Sequence, residues 1–517
     1  MEKTYLKKSE TFSFASSAFG RSMIYTLMST FALIFYTDMG IKPSHAGTII
    51  FIARICDALN DPIMGMIVDR THTKDGKMRP YLKWAPLPIA ISTALLFFAP
   101  AFENYTLKVA YAAFSYILWG ICFTIQDIPF WSLSSAVTPN EKERTKFVST
   151  ARVGSTIGGI LPTVIVPVLI GSSLGLRNGY FVSGCIFGVV GAGISLLAYF
   201  GTKERVEGKA DAYSFKELFG AVVKNKLLLL IVAASLLGST MVMAQSASVY
   251  IANYLITDSG IIPKGVLLTV LTVAIGVGML PAMVLLPILR KRFSLKQIYI
   301  GSALMGAIVT LALWFIGYSN IYVFMVCLVF YGIPLGVFNV ITYNLVADAV
   351  DYNEYKTGRR TEGVCFAAQT LISQANAGIS TFIVSLMLEK IAYKSPLEAQ
   401  NNPEGIKSLF SSLGLNDFVA NTGLEVKQLL EAYGLEKLDI QSVTQSASTI
   451  TVHFMQSELT TNGLFAMVTI IPCIGFILCA IPMFFNTYTG KKKEAILKEL
   501  EERRAKSEEE TATITEE

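Results

Sequence analysis

A stretch of mostly apolar residues, 51–70, carries four polar side chains that could bind an ion: Arg54, Asp57, Asn60 and Asp61. Residues three and four apart share one face of a helix, so the two carboxylates and the amide form one oxygen-rich patch. A carboxylate at the bilayer centre costs roughly 2.5–3.5 kcal/mol, so this patch must face a cavity, a cation or a partner. Hard oxygen ligands suit a small hard cation. The alternative is a buried salt-bridge cluster that only holds helices together.

A second polar group lies in residues 123–131, where Thr124, Asp127 and Trp131 are spaced i, i+3 and i+7 along one helical stripe. Counting about 1.5 Å per residue from the cytoplasmic edge places Asp57 and Asp127 about 15 Å deep, and Arg152 enters from the same side. Carboxylates on two helices, a guanidinium and an aromatic ring at one depth predict a solute site near the membrane midplane. Apolar stacking with directed hydrogen bonds suits a sugar ring.

The elements that must position these groups are membrane helices. The chain has 517 residues, 52% hydrophobic and 16% charged, with a mean hydropathy of +0.51. Apolar runs of the length needed to cross a membrane recur from end to end. They predict an all-α integral membrane protein with twelve spans, near 12–37, 45–68, 82–102, 107–136, 146–171, 179–201, 227–257, 265–289, 298–318, 320–350, 361–392 and 461–486.

Lys and Arg residues set the expected orientation. With a cytoplasmic N-terminus, the inner loops carry 21 of them and the short outer loops carry 4. We therefore expect a multi-pass protein of the plasma (inner) membrane with both termini cytoplasmic. The net charge of +5 reflects mostly this asymmetry, not a nucleic-acid partner. All seven cysteines fall within predicted spans, so no disulfide framework is expected.

The longest inner loop, 202–226, divides the spans six and six, as in the major facilitator class. The predicted domains are a first half at 1–201, that middle loop, a second half at 227–486 and a cytoplasmic tail at 487–517, which is expected to be solvated with an interfacial start. The second half includes an extracytoplasmic insertion at 393–460, whose role the sequence does not reveal.

Charged residues mark the inner end of the tenth span. Asp348, Asp351 and Glu354 are spaced i, i+3 and i+6 there. Basic residues of the first half, such as Arg144, should lie on the same membrane face. The hypothesis is a set of ion pairs between the halves that closes the inner side, and the alternative is a solvated charged turn. The polar side chains Gln369, Thr370 and Gln374 of the eleventh span either hold helices together or contact solute.

These motifs resemble a known family. DALNDPIMG (57–65), LWGICFTIQDIPFWS (118–132), the region of Arg152 and VADAVDYNEYK (346–356) are together similar to the glycoside–pentoside–hexuronide:cation symporters, typified by melibiose permease. The resemblance covers nearly all spans in order.

The resemblance implies a major facilitator fold and symport by alternating access. It implies that the coupling cation binds at Asp57, Asn60, Asp61 and Thr124, and that the sugar binds at Asp127, Trp131, Arg152, Gln369 and Thr370. The inner ion pairs would be formed by Arg144, Asp348, Asp351 and Arg360.

The chain also departs from melibiose permease. Ser22 follows Gly20-Arg21 where the permease has an aspartate, and Gln374 replaces a lysine. We include Arg21, Ser22 and Gln374 in the predicted substrate site. Arg21 should face a cavity or snorkel to an interface. Two arginines, Arg21 and Arg152, around the single Asp127 leave room for an anionic sugar such as a hexuronide, with a neutral glycoside or pentoside as the alternative.

Sodium is the favoured coupling ion, because Asn60 and Thr124 add neutral oxygens that a proton would not require. Proton coupling through Asp57 or Asp61 is the alternative, Li⁺ is a further candidate, and no cofactor is expected. An amphipathic cargo such as a lysolipid is a second alternative. Partners are expected to be the sugar, a monovalent cation and membrane lipid, with the protein working as a monomer.

An enzyme is not expected. The G-x-S-x-G match at 171–175 lies in an outer loop without a histidine in an evident partner position. The sequence has no phosphate-binding G-x-x-x-x-G-K-[ST] motif, which argues against ATP drive.

Overall fold

The computed structural model describes residues 5–138, 140–170, 172, 174–205, 223, 225–256, 262, 264–357, 362–393, 458–490, 492–500 and 502–503. These residues are helical apart from turns, loops and one isolated β-bridge between Thr73 and Gly76. Helix occurs in all twelve predicted segments. The all-helical architecture is therefore as predicted.

The first part of the chain forms eight helices. They are α1 (Lys8–Asp38), α2 (Pro43–Arg70), α3 (Arg79–Trp84), α4 (Pro86–Leu96), α5 (Tyr105–Val137), α6 (Glu141–Ile170), α7 (Gly175–Ser195) and α8 (Leu197–Gly201). Local signals set several boundaries. Pro43 begins α2, where its missing N–H costs nothing. The Asn104 side chain accepts a hydrogen bond from the Thr106 backbone and caps α5.

The second part forms seven labelled helices. They are α9 (Lys226–Leu237), α10 (Lys264–Leu289), α11 (Leu295–Ile316), α12 (Ile321–Thr357), α13 (Glu362–Lys390), α14 (Glu458–Val468) and α15 (Ile470–Phe484). After α9 the chain continues in short turns through Ser239–Val242, Met243–Ser246, Ser248–Tyr250 and Ile251–Leu255. Below, the proximal end of the bundle is the end where α1 begins at Lys8, and the distal end is where α1 ends at Asp38.

Eight of the described helices are long and apolar enough to cross a membrane, and a ninth span results if Lys226–Leu237 and Ser239–Ser246 are taken together across their 47° bend. Helix α2 is 28 residues long but is not among them. Its charged residues Arg54, Asp57 and Asp61 lower its mean hydropathy. This polar helix carries most of the predicted cation site. The number of crossings stays a prediction, as does the division into domains.

Two predicted spans differ in detail from the structure. The helix of the third span ends at Leu96 and not near 102, and the chain around Pro100 is not helical. The seventh is not continuous, because the chain leaves α9 at Gly238, which packs tightly against Cys479. Of the insertion at 393–460, residues 394–457 lie outside the described residues.

Helix packing brings the site-bearing helices together. Helix α1 packs against α6 and α7, and α2 packs against both α5 and α13. Helices α10 and α12 approach closely through glycines: a Cβ at Gly278 would overlap the Val329 carbonyl, and one at Gly332 would overlap the Ile275 carbonyl. Small residues at helix crossings let backbones approach in membranes, where there is little hydrophobic drive between helices.

This close approach predicts a large difference between two neighbouring glycines of α10. Gly278→Val should destabilise the protein by about 1–3 kcal/mol or more, because the added atoms meet backbone that cannot move aside. Gly276→Val is the matched control, since a Cβ there would have no described atom within 4 Å. The measurement is the unfolding midpoint of each purified variant in detergent. Equal midpoints for the two variants would contradict the crossing.

Candidate functional site

Asp57 lies on α2 between a cation and a glycine. Its carboxylate is 4.0 Å from the Arg54 guanidinium, one turn earlier on the same helix. On the other side it packs directly against Gly120 of α5, where a Cβ would overlap the carboxylate. The α2–α5 contact therefore depends on a glycine at 120, and it holds the Asp57 side chain in a narrow gap.

Asp61 joins three helices. The Thr124 hydroxyl of α5 donates to one carboxylate oxygen at 3.3 Å, and the Gln374 side-chain amide of α13 donates to the other at 2.6 Å. Asp61 is thereby linked to both parts of the chain. Asn60 lies beside it on α2 and is partly buried. The structure thus brings Asp57, Asp61 and Thr124 together between α2 and α5.

Arg21 and Asp127 form an ion pair between α1 and α5. The Arg21 side chain is 5% exposed and the Asp127 side chain 34% exposed, so Arg21 neither snorkels nor reaches an interface. Its guanidinium carbon lies 4.1 Å from the centroid of the Phe130 ring. Desolvation strengthens such cation–π contacts. The pair holds the Asp127 carboxylate in place while leaving part of it accessible.

Arg152 of α6 is exposed and stacks on Trp131, with its guanidinium carbon 4.2 Å from the ring centroid. The Trp131 ring also meets Phe14 and Phe130 edge to face, at centroid distances of 6.5 and 5.1 Å. One face of the indole is therefore covered by a cation that is itself accessible. The geometry suits recognition of an anion by Arg152 better than stacking of a sugar on that face of Trp131.

The other predicted substrate residues take different positions. Ser22 is partly buried beside Gly159. Gln369 is 5% exposed, donates to Ser373 at 3.3 Å, and has a buried carbonyl oxygen without a hydrogen-bond partner among the described residues. Thr370 is exposed. Gln374 binds Asp61, so the structure places it with the acidic group and not with Arg21 and Asp127.

One charged residue at the proximal end has a partner that the hypothesis did not include. Lys493, from the tail, binds Asp348 at 2.5 Å. The tail is not simply solvated: residues 492–500 are helical, and Ile496 and Leu500 are buried. Their packing brings Lys493 to Asp348. Arg144 is exposed, Asp351 is partly buried, and Arg360 lies outside the described residues, so the pairing between halves stays a prediction.

Tyr25 is a site residue that the sequence reasoning missed. It lies one turn after Arg21 on α1, 40% exposed, with the Arg54 guanidinium 5.7 Å from its ring centroid and the Phe123 ring also 5.7 Å away. The Phe123 ring is in turn 5.4 Å from the Arg21 guanidinium carbon, so Tyr25 and Phe123 together connect the Arg54–Asp57–Asp61 group to the Arg21–Asp127 group. The i, i+4 spacing from Arg21 was a signal that could have identified it.

A family model described as MFS/sugar transport protein matches residues 13–415. A putative sulfoquinovose importer of Salmonella typhimurium (strain LT2) is 29% identical over 385 residues, which cover 72% of this chain and 79% of the relative. An isoprimeverose transporter of Lactiplantibacillus pentosus is 27% identical over 406 residues, which cover 76% and 82%.

Among solved structures, the fold is similar to that of a bacterial homologue of the human lysosomal transporter Spinster in an inward-facing, occupied conformation. The TM-score is 0.59 at 14% sequence identity, and the match covers 94% of this chain and 96% of the other. This likeness shows the fold alone, and together with the family match it confirms the predicted major facilitator fold.

The unequal burial of the Arg21–Asp127 pair predicts unequal effects of neutralising each partner. Asp127→Asn should destabilise more than Arg21→Gln, because it leaves a buried guanidinium without its anion. In the double variant the loss should be smaller than the sum, with a coupling of about 0.5–3 kcal/mol. The measurement is a double-mutant cycle of denaturant unfolding in detergent.

The matched control is the exposed pair Arg503–Glu499, whose side chains are 51% and 45% exposed. Glu499→Gln should change the free energy of unfolding little, because exposed ion pairs usually contribute little to stability. Additive losses for Arg21 and Asp127 would show that the two side chains do not interact in the folded protein.

Proposed function

The chain belongs to the MFS/sugar transport protein family, and we propose that it is a symporter that uses a cation gradient, Na⁺ in preference to H⁺, to carry an anionic sugar by alternating access. The family and the fold are those of membrane transporters, not enzymes. We place the protein in the plasma membrane with both termini cytoplasmic, which the bias of Lys and Arg toward one set of loops supports.

The observation that carries the coupling proposal is the environment of Asp61. Its carboxylate, the Asp57 carboxylate, the Asn60 amide and the Thr124 hydroxyl supply hard oxygens on two neighbouring helices, which suit Na⁺. Thr124 donates to Asp61, and rotation of its hydroxyl would turn a lone pair toward a bound ion. Two carboxylates on one helix also favour binding of one positive charge between them.

The hydrogen bond from Gln374 to Asp61 supports a link between ion binding and helix movement. It joins α13 to α2 at 2.6 Å, and a cation at Asp61 would compete with the amide for the same carboxylate. Occupancy of the cation site therefore changes the strength of a contact between the two parts of the chain. A ligand shifts a conformational equilibrium only through such a differential interaction.

Charge balance supports an anionic substrate. The candidate site as a whole contains three guanidiniums and three carboxylates: Arg21, Arg54 and Arg152, and Asp57, Asp61 and Asp127. Binding of one monovalent cation leaves a net charge of +1, which a sugar with one acid group neutralises. A neutral loaded site costs less to close away from water than a charged one. Arg152, exposed and stacked on Trp131, is the residue placed to receive the acid group.

The relatives agree with a sugar substrate. One is named for sulfoquinovose, a sugar with an acid group, and one for isoprimeverose, a neutral sugar. Selectivity in this chain would depend on the arginines, since guanidinium pairs well with planar or tetrahedral oxyanions.

The cation proposal predicts that Na⁺ stabilises the purified protein against heat more than K⁺ at equal ionic strength, because Na⁺ binds the folded state. Asp57→Asn and Asp61→Asn should lose this difference. Gly120→Ala should weaken Na⁺ binding about tenfold or more, since the added methyl group displaces Asp57. Gly65→Ala on α2 is the control, because a Cβ there would meet no described atom within 4 Å. A stabilisation that depends on pH alone would favour proton coupling.

The substrate proposal predicts a charge-selective effect of Arg152→Gln. In proteoliposomes with an inward Na⁺ gradient, uptake of a hexuronate should fall about tenfold or more, the size expected when about 1.4 kcal/mol of binding is lost. Uptake of the corresponding neutral hexose should not fall. Lys146→Gln, an exposed neutralisation on the same helix, should leave both unchanged. Preferential uptake of the neutral hexose by the unmodified protein would contradict an anionic substrate.

A further inference from the structure

A buried carboxylate at the distal end belongs to neither group of the candidate site. Asp38, the last residue of α1, is 3% exposed. The Tyr180 hydroxyl of α7 donates to one of its oxygens at 2.9 Å. The other oxygen is buried and has no hydrogen-bond partner among the described residues. A carboxylate so deeply buried normally accepts several hydrogen bonds or faces a cation.

Tyrosines of the second part of the chain close over Asp38. Tyr250, Tyr254 and Tyr393 are all buried and lie within electrostatic range of its carboxylate. The Tyr250 hydroxyl is 3.1 Å from that of Thr37, next to Asp38. The Tyr393 hydroxyl donates to Tyr254 at 3.1 Å. This group of three, here called the tyrosine cluster, lies at the distal end, where the last residues of α1 meet the segments that follow α9 and α13.

Two of the cations near this end bond to backbone carbonyls, and Lys42 and Lys390 are exposed. Lys108 of α5 donates to the Met39 carbonyl at 3.2 Å, and Arg177 of α7 donates to the Ala99 carbonyl. The carboxylate of Glu389, on α13, accepts from the Ser44 backbone at 3.2 Å and adds negative charge at the same end. Within the described part of the chain no cation pairs with Asp38, and the groups that face it are tyrosines.

We propose that Asp38 is a proton-binding site that controls closure of the distal end. In the closed arrangement the carboxyl group is neutral, because an ionised one would be buried among tyrosine side chains with no counter-charge. Separation of the tyrosine cluster exposes Asp38 to water, where it releases its proton. Closure therefore takes up a proton from the distal side, and low pH on that side favours the closed arrangement. This site is separate from the cation site at Asp57 and Asp61.

Alkylation of a cysteine introduced at the seam tests this proposal without substrate or a sodium gradient. Thr37→Cys places a thiol where closure buries it, since Thr37 is 1% exposed. A membrane-impermeant maleimide is added from the outer side at pH 6 and pH 8. The rates are divided by those of Ser172→Cys, at an exposed position, to remove the effect of pH on thiol reactivity. The parent protein, with its seven cysteines, gives the background.

We expect the normalised alkylation rate of the Thr37→Cys variant to rise about fivefold or more from pH 6 to pH 8, the size of a typical coupling between two equilibria. Adding Asp38→Asn, which keeps the carboxyl shape without its charge, should make the rate slow and independent of pH. Adding Tyr180→Phe should preserve the dependence on pH, because the carboxyl group that titrates remains. Folding of each variant is checked by its unfolding midpoint and monodispersity in detergent.

An unchanged dependence on pH after Asp38→Asn is added would overturn the proposal, and so would a pH-independent rate in the protein that retains Asp38. Because the readout needs neither sugar nor Na⁺, its failure would leave the proposed transport function standing. Failure of Na⁺ coupling would likewise leave the proton site standing.

Discussion

The structure depends on one constraint: carboxylates inside a membrane protein must be neutralised or hydrogen-bonded. The acidic residues of the candidate site meet this constraint differently. Asp57 is near Arg54, Asp127 pairs with Arg21, and Asp61 accepts hydrogen bonds from Thr124 and Gln374. The negative charges of Asp57 and Asp61 are only partly compensated by these neighbours. In the proposed mechanism their oxygens can therefore bind an added positive charge. The same requirement makes them sensitive to the position of neighbouring helices.

The proposed coupling follows from that sensitivity. Asp61 is held by α5 on one side and by α13 on the other, so an ion bound at Asp61 would change a contact that also depends on how the two parts of the chain are placed. Tyr25 contacts Arg54 of the acidic group and the Phe123 ring, which lies beside Arg21. The proposed ion and substrate sites would act together because α5 carries residues of both, Thr124 and Asp127, and packs against α2.

Much of the fold and part of the site could be predicted from the sequence. Apolar length predicted the positions of the helices, helical spacing predicted that Asp57, Asn60 and Asp61 share one face, and the family resemblance added Thr124 to that group. Contacts between residues distant in sequence could not be predicted this way. The bond from Gln374 to Asp61, the burial of Arg21 against Asp127 and the pairing of Asp348 with Lys493 all depend on how helices pack. The first part of the tail departs from the predicted solvated helix, because among its charges stand the apolar Ile496 and Leu500, which are buried.

The most direct test of coupling is equilibrium binding of radioactive Na⁺ to the purified protein, with and without a saturating hexuronate. Linkage requires that two ligands which favour the same state raise each other's affinity by the same factor. We expect one saturable Na⁺ per chain, bound about fivefold or more tightly when the hexuronate is present. Absence of saturable Na⁺ binding, or an affinity that the hexuronate leaves unchanged, would contradict the proposed coupling.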